Sequence, residues 1–185
     1  MQSAKSEFIA GIVDELPLML GVVPFGLVFG VLGIASGLSV AETILMSSVL
    51  FGGASQVVFA QLWASGAPAF VIGGSVSVIN LRHVLYSASM SVYLHHLPLR
   101  WRVILAYLLT DEAYAVSIRR FRDKPCNQHM HYHLLGAGML LWVGWQISTI
   151  IGVVVGETIP DSWSLSFAIP LTFIAVVAPI LRTKA

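Results

Sequence analysis

Charge is what this sequence has least of: Lys, Arg, Asp and Glu make up 10% of its 185 residues, against about 25% in an ordinary soluble domain. With 57% of the residues hydrophobic, that shortage excludes a soluble globular domain. The net charge is +1, with ten Lys and Arg in all, which leaves no clustered basic face for a phosphate backbone. Nucleic acid is therefore excluded as a partner. The single cysteine, Cys126, has no intramolecular disulfide partner, and it falls in a basic loop where a reduced, cytoplasmic thiol is expected. No charge run, Gly/Ser linker or low-complexity tail divides the chain, so one integral-membrane domain over residues 1–185 is expected. Neither Gly-x-Ser-x-Gly nor His-Glu-x-x-His occurs, and the chain is not expected to be an enzyme.

What the sequence has in abundance is long uncharged stretches. About 20 residues rising 1.5 Å each are needed to cross the ~30 Å hydrocarbon layer. Leu16 to Ala41 is free of Asp, Glu, Lys and Arg for 26 residues, and Thr43 to Leu81 for another 39. The first run is too long for a signal-peptide core of roughly 7 to 15 residues, and no small-residue cleavage signal follows it. The second holds more than one span, with Ser65-Gly66-Ala67-Pro68 as the break. Six membrane segments are expected, at 16–35, 43–64, 69–94, 103–118, 134–155 and 165–181. The fold class is all-α, a polytopic membrane helix bundle with broken or re-entrant helices. Lys and Arg accumulate on the cytoplasmic side. With the N-terminus inside, Lys5, Arg119, Arg120, Arg122, Lys124, Arg182 and Lys184 are cytoplasmic, against Arg100 and Arg102 outside. A cytoplasmic N-terminus is expected, and a re-entrant third segment would account for the discordant pair.

The chemistry should lie where polar residues enter apolar spans, because a charge at the bilayer centre costs about 2.5 to 3.5 kcal/mol on insertion scales. Asn80, Arg82 and His83 interrupt the third segment, and Asp111 and Glu112 the fourth. Arg82 facing Asp111 or Glu112 would let both charges persist. Two simpler readings stand beside this. Thr110-Asp111 could cap a helix from Glu112 to Phe121, and Asn80 to His83 could link two half-helices. Further breaks are expected at Pro24-Phe25-Gly26 in the first segment and at Phe51-Gly52-Gly53-Ala54-Ser55-Gln56 in the second. Half-helix ends at such breaks offer N–H groups and carbonyls to a substrate. Alternatively Gly26-x-x-x-Gly30, Gly33-x-x-x-Gly37 and Gly152-x-x-x-Gly156 are packing seams.

Four segments, taken in order, carry a resemblance: Gly21-Val-Val-Pro24-Phe25-Gly26, Phe51-Gly52-Gly53-Ala54-Ser55-Gln56, Asn80-Leu81-Arg82-His83-Val84-Leu85-Tyr86 and Leu109-Thr110-Asp111-Glu112-Ala113-Tyr114-Ala115. Together they resemble the AzlC family, the large subunit of two-component branched-chain amino acid exporters, and Phe167 to Pro179 resembles a later apolar segment of that family. The resemblance implies export of valine, isoleucine and leucine, with methionine as a further candidate, across a bacterial inner membrane. It also implies a small AzlD-type membrane partner. Family members continue past the position of Ala185, so the chain is expected to lack their C-terminal membrane segments.

A branched-chain amino acid is a zwitterion with an apolar tail, so its site needs an anion-binding backbone, a cation acceptor and a hydrophobic pocket. Pro24, Phe25, Gly26, Gly53, Ser55, Gln56 and Asn80 are the expected substrate contacts, with Phe25, Phe29 and Phe51 as pocket walls. Arg82, His83, Asp111 and Glu112 are the expected coupling residues. No cofactor and no metal are expected. Of the six histidines, only His83 is placed in a span. His95 and His96 fall at a segment end, and His129, His131 and His133 in a basic loop, which argues against a haem- or quinone-binding subunit. A non-transporting assembly subunit is the other alternative.

Overall fold

The computed structural model describes residues 3–123 and 128–158. The described residues form eight α-helices: α1 (Ala4–Glu15), α2 (Met19–Ala35), α3 (Val40–Val49), α4 (Gly53–Ala64), α5 (Ala69–Leu94), α6 (Leu99–Tyr107), α7 (Asp111–Asp123) and α8 (Met130–Thr158), with a 3-10 turn at Leu16–Leu18 between the first two. No strand occurs among them. Among the described residues, three helical segments are long and apolar enough to cross a membrane: Ala4–Ala35, Ala69–Leu94 and Met130–Thr158. The expectation of six segments is thereby corrected. Three reach spanning length, α3 is a shorter apolar helix, and the segment at 165–181 lies outside the described residues, as do Cys126 and Lys124.

Local sequence explains where helices start and stop. Ser39 opens α3 with a reciprocal cap, its hydroxyl accepting from Glu42 N–H at 3.2 Å while its own N–H donates to the Glu42 carboxylate at 2.8 Å. Removing that cap by Ser39→Ala is expected to cost about 1 kcal/mol, measured as a small downward shift in thermal unfolding in detergent. Gly37 and Gly66 adopt φ of +82° and +69°, the left-handed region that glycine enters without a Cβ clash. They end α2 and α4, and Gly66 lies in the break expected at Ser65 to Pro68. The break expected within residues 43–64 is also present: α3 ends at Val49, Gly52 is extended at φ −166° and ψ 98°, and α4 begins at Gly53.

Three other expectations fail. Pro24 does not break its span, because α2 runs through it to Ala35. A proline forfeits one ladder hydrogen bond and its own N–H, and a membrane helix tolerates that when neighbours pack around it. Asn80 to His83 are not a link between half-helices or a re-entrant turn, since α5 is continuous over 26 residues; these residues suit helical backbone and send their polar groups sideways. The segment 103–118 is not a span. It is divided at Leu108 to Thr110 between α6 and α7, and a nine-residue α6 reaches only about 14 Å. Asp111 and Glu112 occupy the first turn of α7, with Arg120 and Arg122 in the last, each sign at the end of the helix dipole that favours it.

The residues group into two units. One contains residues 3–19 and 81–143, with a core of Met90, Leu94, Leu105, Leu109, Ala113, Phe121, Met130, Leu134 and Ala137. There α1 lies against α7 and crosses α8 closely, because a side chain at Gly11 would collide with the His133 carbonyl and one at Gly136 with the Phe8 carbonyl. The other unit contains residues 20–80 and 144–158. Its α2 and α8 meet at Gly30 and Gly152, whose missing side chains let backbone touch backbone at Thr149 and Leu27.

Candidate functional site

The second unit gathers polar groups around the break between α3 and α4. A broken helix leaves carbonyls that lipid cannot satisfy, and here side-chain amides and hydroxyls reach them. Gln56 Nε2 donates to the Leu50 carbonyl at 2.5 Å and lies 3.4 Å from that of Ser47. Gln146 Nε2 donates to Ser47 at 3.2 Å, and Ser55 Oγ to the Gly52 carbonyl at 2.8 Å. Ser48 Oγ donates to Gln146 Oε1 at 3.1 Å, and the Ser47 and Thr149 hydroxyls lie 3.1 Å apart. Ser47, Ser55, Gln56 and Thr149 are all buried.

Aromatic rings stand beside this seam. Phe25 and Phe29 pack on Trp145 at centroid distances of 5.8 and 6.2 Å. A Cβ on Gly53 would sit 2.6 Å from Phe25 Cε1 and 2.8 Å from Trp145 Cη2. Phe25 and Gly53, from the two segments singled out in the sequence, therefore touch. The N-terminus of α4 has no side-chain cap among the described residues. Gln56 Oε1 and Trp145 Nε1 are buried with no hydrogen-bond partner among the described residues. Pro24 and Gly26 do not open the backbone; a side chain at Gly26 would meet Ser148 and Trp145, so Gly26 serves packing. Asn80, on α5 of this unit, has a buried Oδ1 with no hydrogen-bond partner among the described residues. Trp145, Gln146 and Thr149 were not singled out from the sequence. Their spacing of one, three and four residues on one helix face was the available signal.

The first unit holds charges. Arg82 Nη1 donates to Asp111 Oδ2, joining α5 to the first turn of α7. Beside this pair the Tyr86 and Tyr114 rings stack at 4.5 Å, and the Tyr114 hydroxyl lies 3.0 Å from Ser89 Oγ. His83 stacks on Tyr86 at 6.3 Å, and its buried Nε2 has no hydrogen-bond partner among the described residues. Glu112 lies close enough to Arg82, Asp111 and Glu15 to feel their charges.

A second set of charges in this unit went unread in the sequence. Glu7, fully buried, accepts from Arg120 Nη2 at 2.9 Å and Nε at 3.2 Å, and these bonds push the Arg120 guanidinium above its ordinary range. His133 Nε2 lies 2.9 Å from Asp14 Oδ2, and its Nδ1 lies 3.3 Å from Ser117 Oγ. The expectation that His131 and His133 belong to a basic loop is corrected: α8 begins at Met130, and His133 is fully buried. Glu7, Gly11 and Glu15 are the buried residues of α1, and their spacing of four on one helix face would have disclosed them. No group of three or more His, Cys, Asp or Glu residues able to hold a metal ion occurs among the described residues.

Comparison with known proteins agrees with this architecture. The family model described as AzlC protein matches residues 17–159. An uncharacterized membrane protein of Archaeoglobus fulgidus is 31% identical over 98% of this chain and 80% of its own length. Inner membrane protein YgaZ of Escherichia coli is 25% identical over 97% of this chain and 76% of its own. An uncharacterized membrane protein of Helicobacter pylori is 24% identical over 92% and 75%. No solved structure matches the chain. A matched region that takes in α2 to α8 almost whole, together with relatives that are membrane proteins, shows that this helical membrane protein belongs to the AzlC family.

Proposed function

We propose that the chain is the large subunit of an ion-coupled exporter of branched-chain amino acids in a bacterial inner membrane, working with a small AzlD-type membrane subunit. The observation that carries this reading is the meeting of Phe25, Phe29 and Trp145 with the uncapped N-terminus of α4 at Gly53. A branched-chain amino acid asks for those three features at once. Its carboxylate takes the first N–H groups of α4. Its ammonium takes an acceptor, for which Gln56 Oε1 has no partner among the described residues. Its aliphatic tail takes the aromatic wall. The Arg82–Asp111 pair and Glu112 supply titratable charge for coupling.

The test is efflux of radiolabelled valine, leucine, isoleucine and methionine from membrane vesicles, with and without the co-expressed small subunit. Efflux of the aliphatic amino acids is expected and none of a charged one such as glutamate; absence of efflux in both arms would leave the chain an assembly subunit. Gly53→Val drives a branched side chain into Phe25 and Trp145. It is expected to lower efflux at least tenfold at matched expression, and efflux equal to wild type would show that this wall does not face substrate.

A further inference from the structure

Glu15 is the last residue of α1, on the same buried face as Glu7 and Gly11. Its relative exposure is 0%, and neither carboxylate oxygen has a hydrogen-bond partner among the described residues. Three other carboxylates of this unit have a partner: Glu7 has Arg120, Asp14 has His133, and Asp111 has Arg82. The charge that Glu15 feels is that of Glu112, of its own sign. Glu112, in the first turn of α7, itself lies within the influence of Asp111 and Arg82.

An ionised carboxylate buried with no donor and with a like charge beside it is costly, and such a group sheds its charge by taking up a proton. We propose that Glu15 is a proton-binding site, a carboxylic acid held neutral between α1 and α7, and that its proton is the one coupled to amino acid export. The coupling half rests on the transport function proposed above; the proton-binding half does not. The chemistry is proton transfer alone. The O–H bond of the Glu15 acid breaks, and the proton passes to the Glu112 carboxylate or to water. Arg82 is paired with Asp111 and acts on Glu112. If it moves from Asp111 toward Glu15, it stabilises the ionised form, so release of the proton is tied to a rearrangement of the Arg82–Asp111 pair.

Two readouts on the purified full-length protein decide it. The infrared carbonyl band of a protonated carboxylic acid is expected in wild-type protein at neutral pH and absent in Glu15→Gln. That substitution copies the neutral acid in shape and leaves thermal stability close to wild type. A wild-type spectrum without the band, or a band unchanged in Glu15→Gln, overturns the proton site. In liposomes, Glu15→Gln is expected to keep leucine counterflow while losing at least tenfold of the flux driven by a pH gradient. Gradient-driven flux equal to wild type overturns the coupling. If wild-type protein moves no leucine in either mode, the export reading fails, and the infrared result still decides whether Glu15 holds a proton.

Discussion

Arg82→Ala is expected to abolish gradient-driven efflux, by at least a hundredfold, and to lower the unfolding midpoint measured in detergent. The substitution leaves Asp111 with no cation at the head of α7 and cuts the tie between α5 and α7. A simple stability effect is separable from a coupling effect by the neutral double variant Arg82→Gln/Asp111→Asn. Removing both charges lifts the desolvation penalty, so the double variant is expected to recover most of the stability measured by thermal unfolding in detergent. Its efflux is expected to stay low, because the charge that moves during coupling is gone. Full recovery of efflux would make the pair structural only.

The largest effect on stability is expected at Arg120. Its bidentate contact with Glu7 neutralises a carboxylate whose exposure is 0%. Taking away one partner of such a pair removes the bidentate compensation of a buried carboxylate, a change worth up to about 3 to 5 kcal/mol. Arg120→Ala should therefore lower the unfolding midpoint sharply or abolish recovery of folded protein, whereas Arg119→Ala, one residue away, should do little. Glu7→Gln added to Arg120→Ala is expected to restore much of the loss, since a neutral amide is cheaper to bury than a carboxylate. A midpoint for Arg120→Ala within error of wild type would show that Glu7 is satisfied by another group.

Much of this was open to reading in one dimension. Scarce charge and uncharged runs of 26 and 39 residues already point to helices in a membrane, because a helix satisfies its own backbone in hydrocarbon and needs about 20 continuous apolar residues to cross it. The break at Phe51 to Gln56 is local chemistry, two adjacent glycines followed by Ser55 and Gln56, and it survives as the gap between α3 and α4. Arg82 could be matched on paper to Asp111 or Glu112 because a lone cation in an apolar run has few acids to choose from; that Asp111 is the partner came from the structure.

Tertiary structure decided the remainder. Whether Pro24 breaks a helix depends on what packs around it, and in α2 the ladder continues on either side. Whether residues 103–118 span a membrane depended on Leu108 to Thr110 leaving the helix, which the hydropathy of the flanking residues conceals. The histidines were misjudged because their neighbours in sequence are basic, while the neighbours of His133 in space are Asp14 and Ser117. Glu15 was passed over because it lies one residue outside an uncharged run. Composition along the chain can say that a carboxylate stands at the edge of an apolar stretch. Only the packing of α1 against α7 and α8 determines that it is enclosed there without a partner, because burial depends on which helices close over a side chain and not on its place in the chain.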